Sequence, residues 1–349
     1  MNRCSMMIMI ILSLLVPCAA AAYIERKDTV LSGKDNTVYM IGWVSDRLNR
    51  AKVRPPENEF RIYQIDLRDN SKTIFYEADK KPMDRLTLSP DNNYIAVTRG
   101  ETYPMTEILI IDKKLRTRKI AINVDKGILT YVWSPDSKKI AYMTGFRDQA
   151  EMGQIISTGI WVYDLEKGEK TKIADTARDI EWLPNGAFCL YVEYEEPKGS
   201  AIKAYKTIIY NTANGAIQEE KKGINMSLDG KYSVDPLYIG YTPMTKEAEE
   251  STHTDFYDLK EGRKILSASL NKIYTELPTI LWREILWLKG NRMVVEKTIK
   301  NSLAWDISVC DLEHNKVLKE VRGQIIGVNS DRSKIVLFYE GKFSVVDVP

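Results

Sequence analysis

The apolar positions of this chain fall in short runs broken by polar turns, and no long stretch carries the spacing of an amphipathic helix. The clearest unit is ILTYVWSPDSKKIAYM, from Ile128 to Met143. Val132 and Trp133 close one apolar run, Ser134, Pro135, Asp136 and Ser137 form a polar step, and Ile140 opens the next run. Proline presets a turn dihedral and aspartate accepts backbone N–H bonds, so the pattern predicts strand, tight turn, strand. Related steps stand at Leu88-Ser89-Pro90-Asp91, Leu183-Pro184-Asn185-Gly186, Ser227-Leu228-Asp229-Gly230, Leu288-Lys289-Gly290 and Asn329-Ser330-Asp331.

A second marker, an apolar strand running into an acid or amide and then a turn, occurs at Asp66, Asp112, Asp164, Asn211, Asp258, Asp311 and Asp347. The intervals are 46, 52, 47, 47, 53 and 36 residues, the length of a four-stranded propeller blade with variable loops. Seven copies predict seven blades; six blades plus an irregular N-terminal unit is the alternative left open.

In the second unit the four strands a to d are Arg85–Ser89, Tyr94–Thr98, Glu107–Asp112 and Thr117–Ile122, and in the third Leu129–Ser134, Lys139–Thr144, Gly159–Asp164 and Lys170–Ala174. Units four, five and six span about 178–220, 223–268 and 282–322. Their apolar runs are near-continuous, as expected where both faces of a blade pack on neighbouring blades. The last unit has Gln324–Val328, Ser333–Tyr339 and Lys342–Val348 but no fourth strand. An uncapped blade would expose an edge, so the run Tyr23–Leu31 is expected to supply the missing strand as a clasp, with Thr37–Trp43 as strand b of the first unit. The expected fold is therefore all-β: a seven-bladed β-propeller over residues 22–349, closed by an N-terminal strand.

The turns carry a resemblance. SPDNNYIAVTR at 89–99 and WSPDSKKIAYMT at 133–144 resemble the W-S-P-D-G-x-x-I-A-F signature of TolB-like, WD40-like β-propeller repeats. The resemblance extends over most of residues 31–349; it implies the propeller fold and is nearly silent about chemistry.

Composition adds compartment. Arg3, an apolar run from Met6 to Val16 and the small residues before Tyr23 read as a secretory signal peptide over residues 1–21. The run is short for a bilayer span, and no second stretch could span. Pro17 stands where a lipobox before Cys18 would carry a small residue, which argues against lipidation. Cys189 and Cys310 then remain, in strands of different repeats, and read as buried thiols rather than a bridge. With 50 Lys and Arg against 48 Asp and Glu, net charge is +2, which gives no pull toward nucleic acid. The expected location is periplasmic or secreted.

Chemistry is sparse. Repetition of Ser-Pro-Asp at equivalent turns marks a structural device rather than a set of nucleophiles. The sequence has no G-x-S-x-G elbow, H-E-x-x-H pair or Gly-rich phosphate loop. Of the two histidines, His314 falls in a c–d turn and His253 in a longer loop beside Asp255. Glu193, Glu195 and Glu196 lack the spacing of a calcium loop, and no cofactor or metal is expected. Trp133, Trp182 and Trp287 share the end of strand a and read as packing between blades. Long b–c connections at Val44–Glu59, Gly145–Thr158, Glu193–Tyr205 and Asp235–Thr254 suggest a recognition surface on a rigid ring. Trp43, Arg54, Tyr103, Arg147, Glu195, Tyr241 and His253 are its candidate contacts. The expected function is an exported, noncatalytic propeller that binds a protein or envelope component through this face. The alternative is a carbohydrate-active lyase or glycoside hydrolase with its site at the channel mouth, which makes polysaccharide the other partner class.

Overall fold

The structure is a computed structural model and describes residues 29–32, 37–41, 61–77, 81–101, 104–148, 154–195, 203–223, 226–236, 253–261, 263–269, 286–298, 305–314, 316–329, 331–339 and 342–349. Among them every regular element is a strand, and no helix is long and apolar enough to cross a membrane. The strands form seven sheets. Sheet one is β1 (Thr29–Ser32), β2 (Thr37–Ile41), β3 (Arg61–Asp66) and β4 (Lys72–Glu77). Sheet two is β5 (Met83–Leu88), β6 (Tyr94–Arg99), β7 (Glu107–Asp112) and β8 (Thr117–Asn123). Sheet three is β9 (Gly127–Trp133), β10 (Lys139–Asp148), β11 (Gln154–Asp164) and β12 (Glu169–Ala174). Sheet four is β13 (Asp179–Trp182), β14 (Phe188–Glu195), β15 (Lys203–Tyr210) and β16 (Ile217–Lys222). Sheet five is β17 (Tyr232–Pro236), β18 (His253–Asp258) and β19 (Arg263–Ser269). Sheet six is β20 (Leu286–Leu288), β21 (Arg292–Thr298), β22 (Trp305–Asp311) and β23 (Lys316–Arg322). Sheet seven is β24 (Gln324–Val328), β25 (Lys334–Tyr339) and β26 (Lys342–Asp347). Each sheet is an antiparallel meander in chain order.

The two-residue period of a strand sends alternate side chains to opposite faces, and here each face meets another sheet. Ile95, Val97, Leu109 and Ile111 of sheet two pack against Tyr39, Ile62 and Phe75 of sheet one. Ala96, Ile108 and Ile110, one residue out of step, pack against Tyr131, Ile140 and Tyr142 of sheet three. This explains why EILIID reads as an unbroken apolar run: Ile108, Leu109, Ile110 and Ile111 are each 0% exposed, and each contributes about 1.5–3 kcal/mol of burial. Further cores join sheets three and four through Val162 and Phe188, four and five through Tyr191 and Met226, five and six through Phe256 and Trp287, and six and seven through Val309 and Ile325. Val336 of sheet seven then packs on Val38 and Ile65 of sheet one, and β1 lies against both β5 and β24. The order of sheets returns on itself around an axis, which is the architecture of a β-propeller.

One expectation is corrected. Thr29–Leu31 does not form a clasp: these residues pair with Val38–Met40 of β2, as the first strand of sheet one. Contact with β5 and β24 holds that strand at the axis, whereas a clasp must run outside β26. Sheets five and seven show three strands each among the described residues. Residues 1–21, Tyr23–Asp28 and Trp43 lie outside the described residues.

Candidate binding rim and channel wall

A meander of four antiparallel strands puts its a–b and c–d turns at one end and its b–c and d–a connections at the other. The turn end is built from self-satisfied side chains. After β5, the Ser89 N–H donates to the Tyr94 carbonyl at 2.9 Å, the Tyr94 N–H donates to Ser89 Oγ at 2.9 Å, and Ser89 Oγ donates to Asp91 Oδ1 at 2.6 Å. The same ring of bonds joins Ser134, Asp136 and Lys139, and again Ser227, Asp229 and Tyr232. The fourth turn residue sits in the left-handed region, with φ of 68° at Asn92, 62° at Ser137, 71° at Gly230 and 54° at Arg332. Burial pushes the Asp136 carboxyl up, but bonds from Ser134 Oγ and the Lys138 N–H, with Lys139 and Lys138 nearby, outweigh it and hold the group below its usual range. Neighbouring turns are also linked: the Asp91 N–H donates to Ser137 Oγ at 2.9 Å, and Asn291 Nδ2 to Asp229 Oδ2 at 2.9 Å.

The other end projects. The β10–β11 pairing continues past a register shift at Thr144/Gly145 to Asp148↔Gln154, and β14–β15 pairs without a break to Glu195↔Lys203. A Cβ on Gly145 would lie 2.2 Å from the Ile156 carbonyl oxygen, so glycine is what lets the two backbones approach at this bulge. Phe146, next along β10, is 43% exposed. On sheet two the rim rests on an ion pair: Arg99 Nε and Nη2 each donate at 2.9 Å to the Glu107 carboxylate, with the side chains 4% and 8% exposed.

The expected long loops are thus partly strand: 145–148 with 154–158, and 193–195 with 203–205, extend the sheets because paired backbone satisfies its own N–H and C=O groups. Arg147 is in β10 opposite Ile155, Glu195 in β14 opposite Lys203, and His253 in β18 opposite Ser269, rather than in loops. Trp43, Arg54, Tyr103 and Tyr241 lie outside the described residues. His314 bonds its own turn, with Nδ1 3.0 Å from Asp311 Oδ2 and a side chain 73% exposed. The tryptophans pack between sheets: Trp133 stacks on Tyr94 of sheet two, and Trp287 stacks on Tyr232 of sheet five. Cys189 is buried as expected, whereas Cys310 is only partly buried, and neither is part of a disulfide.

One polar group in the channel wall has no counterpart in the sequence reading. Glu181 is the second residue before the turn at Leu183; at that place sheets two, three and six carry Thr87, Val132 and Leu286. Its Oε2 accepts the Tyr191 hydroxyl, and its Oε1 lies 3.6 Å from Arg332 Nη2. Arg332 Nη1 also donates to the Trp287 carbonyl at 3.2 Å, and the Lys289 N–H donates to the Arg332 carbonyl at 3.0 Å. Burial pushes the Glu181 carboxyl up; Arg332 and Tyr191 pull it back only in part, so it stays above its usual range. Burial pushes the adjoining Cys189 thiol up to about 12, which leaves it inert as a nucleophile. Setting the repeats against one another would have exposed Glu181 as the odd residue; Arg332 and Phe146 carry no comparable signal. Among the described residues no group of three or more His, Cys, Asp or Glu side chains converges to hold a metal ion.

No family model matches the chain, and no curated protein matches it. Solved structures do. Hydrazine synthase of Kuenenia stuttgartiensis is similar with a TM-score of 0.58 at 13% identity, covering 95% of this chain and 99% of that one. A chain in a crystal structure of a mitotic checkpoint complex is similar with a TM-score of 0.54 at 10% identity, covering 95% of this chain and 89% of that one. TolB from Acinetobacter baumannii is similar with a TM-score of 0.43 at 18% identity, covering 75% of this chain and 59% of that one. At such identities likeness speaks for fold alone, and the fold is a β-propeller.

Proposed function

We propose that this chain is an exported, noncatalytic propeller whose hairpin rim binds a protein or another cell-envelope component. The observation that carries the reading is the difference between the two ends of the ring. At the turn end the polar groups described above are spent on one another, whereas the hairpin end extends β10–β11 and β14–β15 outward and exposes Phe146. An exposed aromatic on paired, rigid backbone is the usual anchor of a protein contact. Trp43, Arg54, Tyr103, Arg147, Glu195, Tyr241 and His253 remain the proposed surrounding contacts. The leader-like pattern of residues 1–21, Arg3 before the apolar run Met6–Val16 and small residues, supports a periplasmic or secreted location for residues 22–349.

The test is capture of partners from the exported compartment with the wild-type chain and with Phe146→Ser/Arg147→Glu. The expected result is a partner retained by the wild type and lost, by tenfold or more on the order of a buried hot spot, by the rim variant, with the melting temperature unchanged. Equal retention by both variants would overturn the reading, as would turnover of a polysaccharide by the wild type.

We also propose that the ring has seven blades and that Tyr23–Asp28 completes sheet seven outside β26. The outermost strands β8 and β12 carry charge, Arg118 and Lys119 on one and Lys170 and Lys172 on the other, which protects an edge. The β26 strand reads KFSVVD, closer in composition to the inner strand WDISVCD of β22, and exposes Val345 as β4, β16 and β23 expose Ile74, Ile217 and Val317. A chain beginning at Thr29 should therefore self-associate through that edge; a monomer of unchanged stability would remove this part of the proposal.

A further inference from the structure

Arg332 belongs to the turn between β24 and β25 of sheet seven, and Glu181 to β13, the first strand of sheet four. In the cyclic order, sheets five and six separate them one way and sheets one to three the other. Side chains from these two sheets can meet only across the axis, and they do, at 3.6 Å. The guanidinium is fixed on its way by the Trp287 carbonyl of sheet six, and the carboxylate by the Tyr191 hydroxyl within sheet four. Both side chains keep part of their surface in solvent, 29% and 21%, as groups lining a channel would. We propose that Arg332 and Glu181 form a bar across the turn-side mouth of the central channel, so that the channel is a cup open only toward the hairpin rim. The carboxylate stands where Thr87, Val132 and Leu286 serve the other sheets, so the sheet does not require it; the bar does. A ligand reaching into the ring enters from the rim proposed above as the binding face, and the inference rests on that reading only for this consequence.

The charged and titratable groups around the bar are Asp179 on the same strand, Tyr191 and Cys189 on β14, and Arg332 from sheet seven. Burial is the largest influence on Glu181 and raises it above its usual range, so the fold favours the protonated form. The stabilising contribution of that form is complete at low pH and is lost as pH rises through the folded-state value.

The decisive experiment is cross-linking in the full chain with its four native cysteines replaced. The Glu181→Cys/Arg332→Cys pair should be joined within the monomer by dibromobimane, a short thiol-to-thiol reagent. The Thr87→Cys/Arg332→Cys pair, at the equivalent position of sheet two, should not. No cross-link in the first pair, or equal cross-linking in both, overturns the bar whatever the partner of the rim proves to be. A second readout uses pH: Glu181→Gln should remove the loss of stability above the usual carboxylate range, and Arg332→Ala should move that loss to still higher pH. An Arg332→Ala profile that overlays the wild type would mean that no bar forms.

Discussion

The contact between sheets two and three and the contact between sheets four and five use one framework for different ends. In the first, Trp133 Nε1 donates to Thr87 Oγ1 at 3.0 Å, and the Tyr131 hydroxyl lies 2.9 Å and 2.8 Å from the carbonyls of Arg85 and Ala96. These bonds join neutral groups, and the Arg85 guanidinium lies beside them, 5.4 Å from the centre of the Tyr131 ring and donating to Thr130 Oγ1 of sheet three. In the second, the residue equivalent to Thr87 is Glu181, and the hydroxyl in the wedge is that of Tyr191, which donates to a carboxylate. Burying an ionisable group where a neutral one suffices costs stability. The difference teaches that the joint between sheets two and three keeps its cation, Arg85, on a ring face and a hydroxyl, whereas sheet four places a carboxylate in the wedge, where burial is the largest influence on it.

Tyr131→Ala should break the joint between sheets two and three most severely: loss of a large, fully buried side chain from the core shared with Ile108 and Ile140 costs about 3–5 kcal/mol, and two carbonyls lose their partner. A drop in the denaturant midpoint with unchanged slope is the expected result. Arg99→Leu tests the rim's support by leaving Glu107 buried and unpaired; it should cost about 3 kcal/mol, measured the same way. Glu181→Leu should have the smallest effect, within about 1 kcal/mol of wild type and tending to stabilise, because Arg332 can return to solvent while an apolar residue fills the wedge. A large loss there would mean that the two joints are made alike.

Opposite responses to acid sharpen the same contrast. Asp91, Asp136 and Asp229, buried in part but held ionised by hydrogen bonds within and between the turns, lie below their usual range. Their contribution is present above the unfolded-state value and lost as pH falls through the folded one, whereas that of Glu181 is lost as pH rises.

Strand positions were legible wherever a side chain's alternation decided burial. Glu107–Asp112 and Gln324–Val328 match their strands residue for residue, and in the first each successive apolar side chain has a sheet to face. The paired stretches around Gly145 and Glu195 were read as loops. Their glycine and polar residues carry no burial pattern, and what makes them strand is backbone pairing, which composition does not encode. The tryptophans at the ends of the first strands were readable as packing because they recur; Arg332 was not, since its turn is a degenerate copy and its partner lies far away in sequence.

The order of residues alone determined the repeating strand and turn, the polar ring that closes each turn, and the apolar wedges between sheets, because each is settled by contacts within one unit or with the next. Only the tertiary structure decided that Thr29–Ser32 lies at the axis, that the hairpins at Asp148 and Glu195 project, and that Arg332 meets Glu181. Those outcomes depend on closing the chain into a ring, which brings together groups whose separation along the backbone leaves no local trace of their encounter.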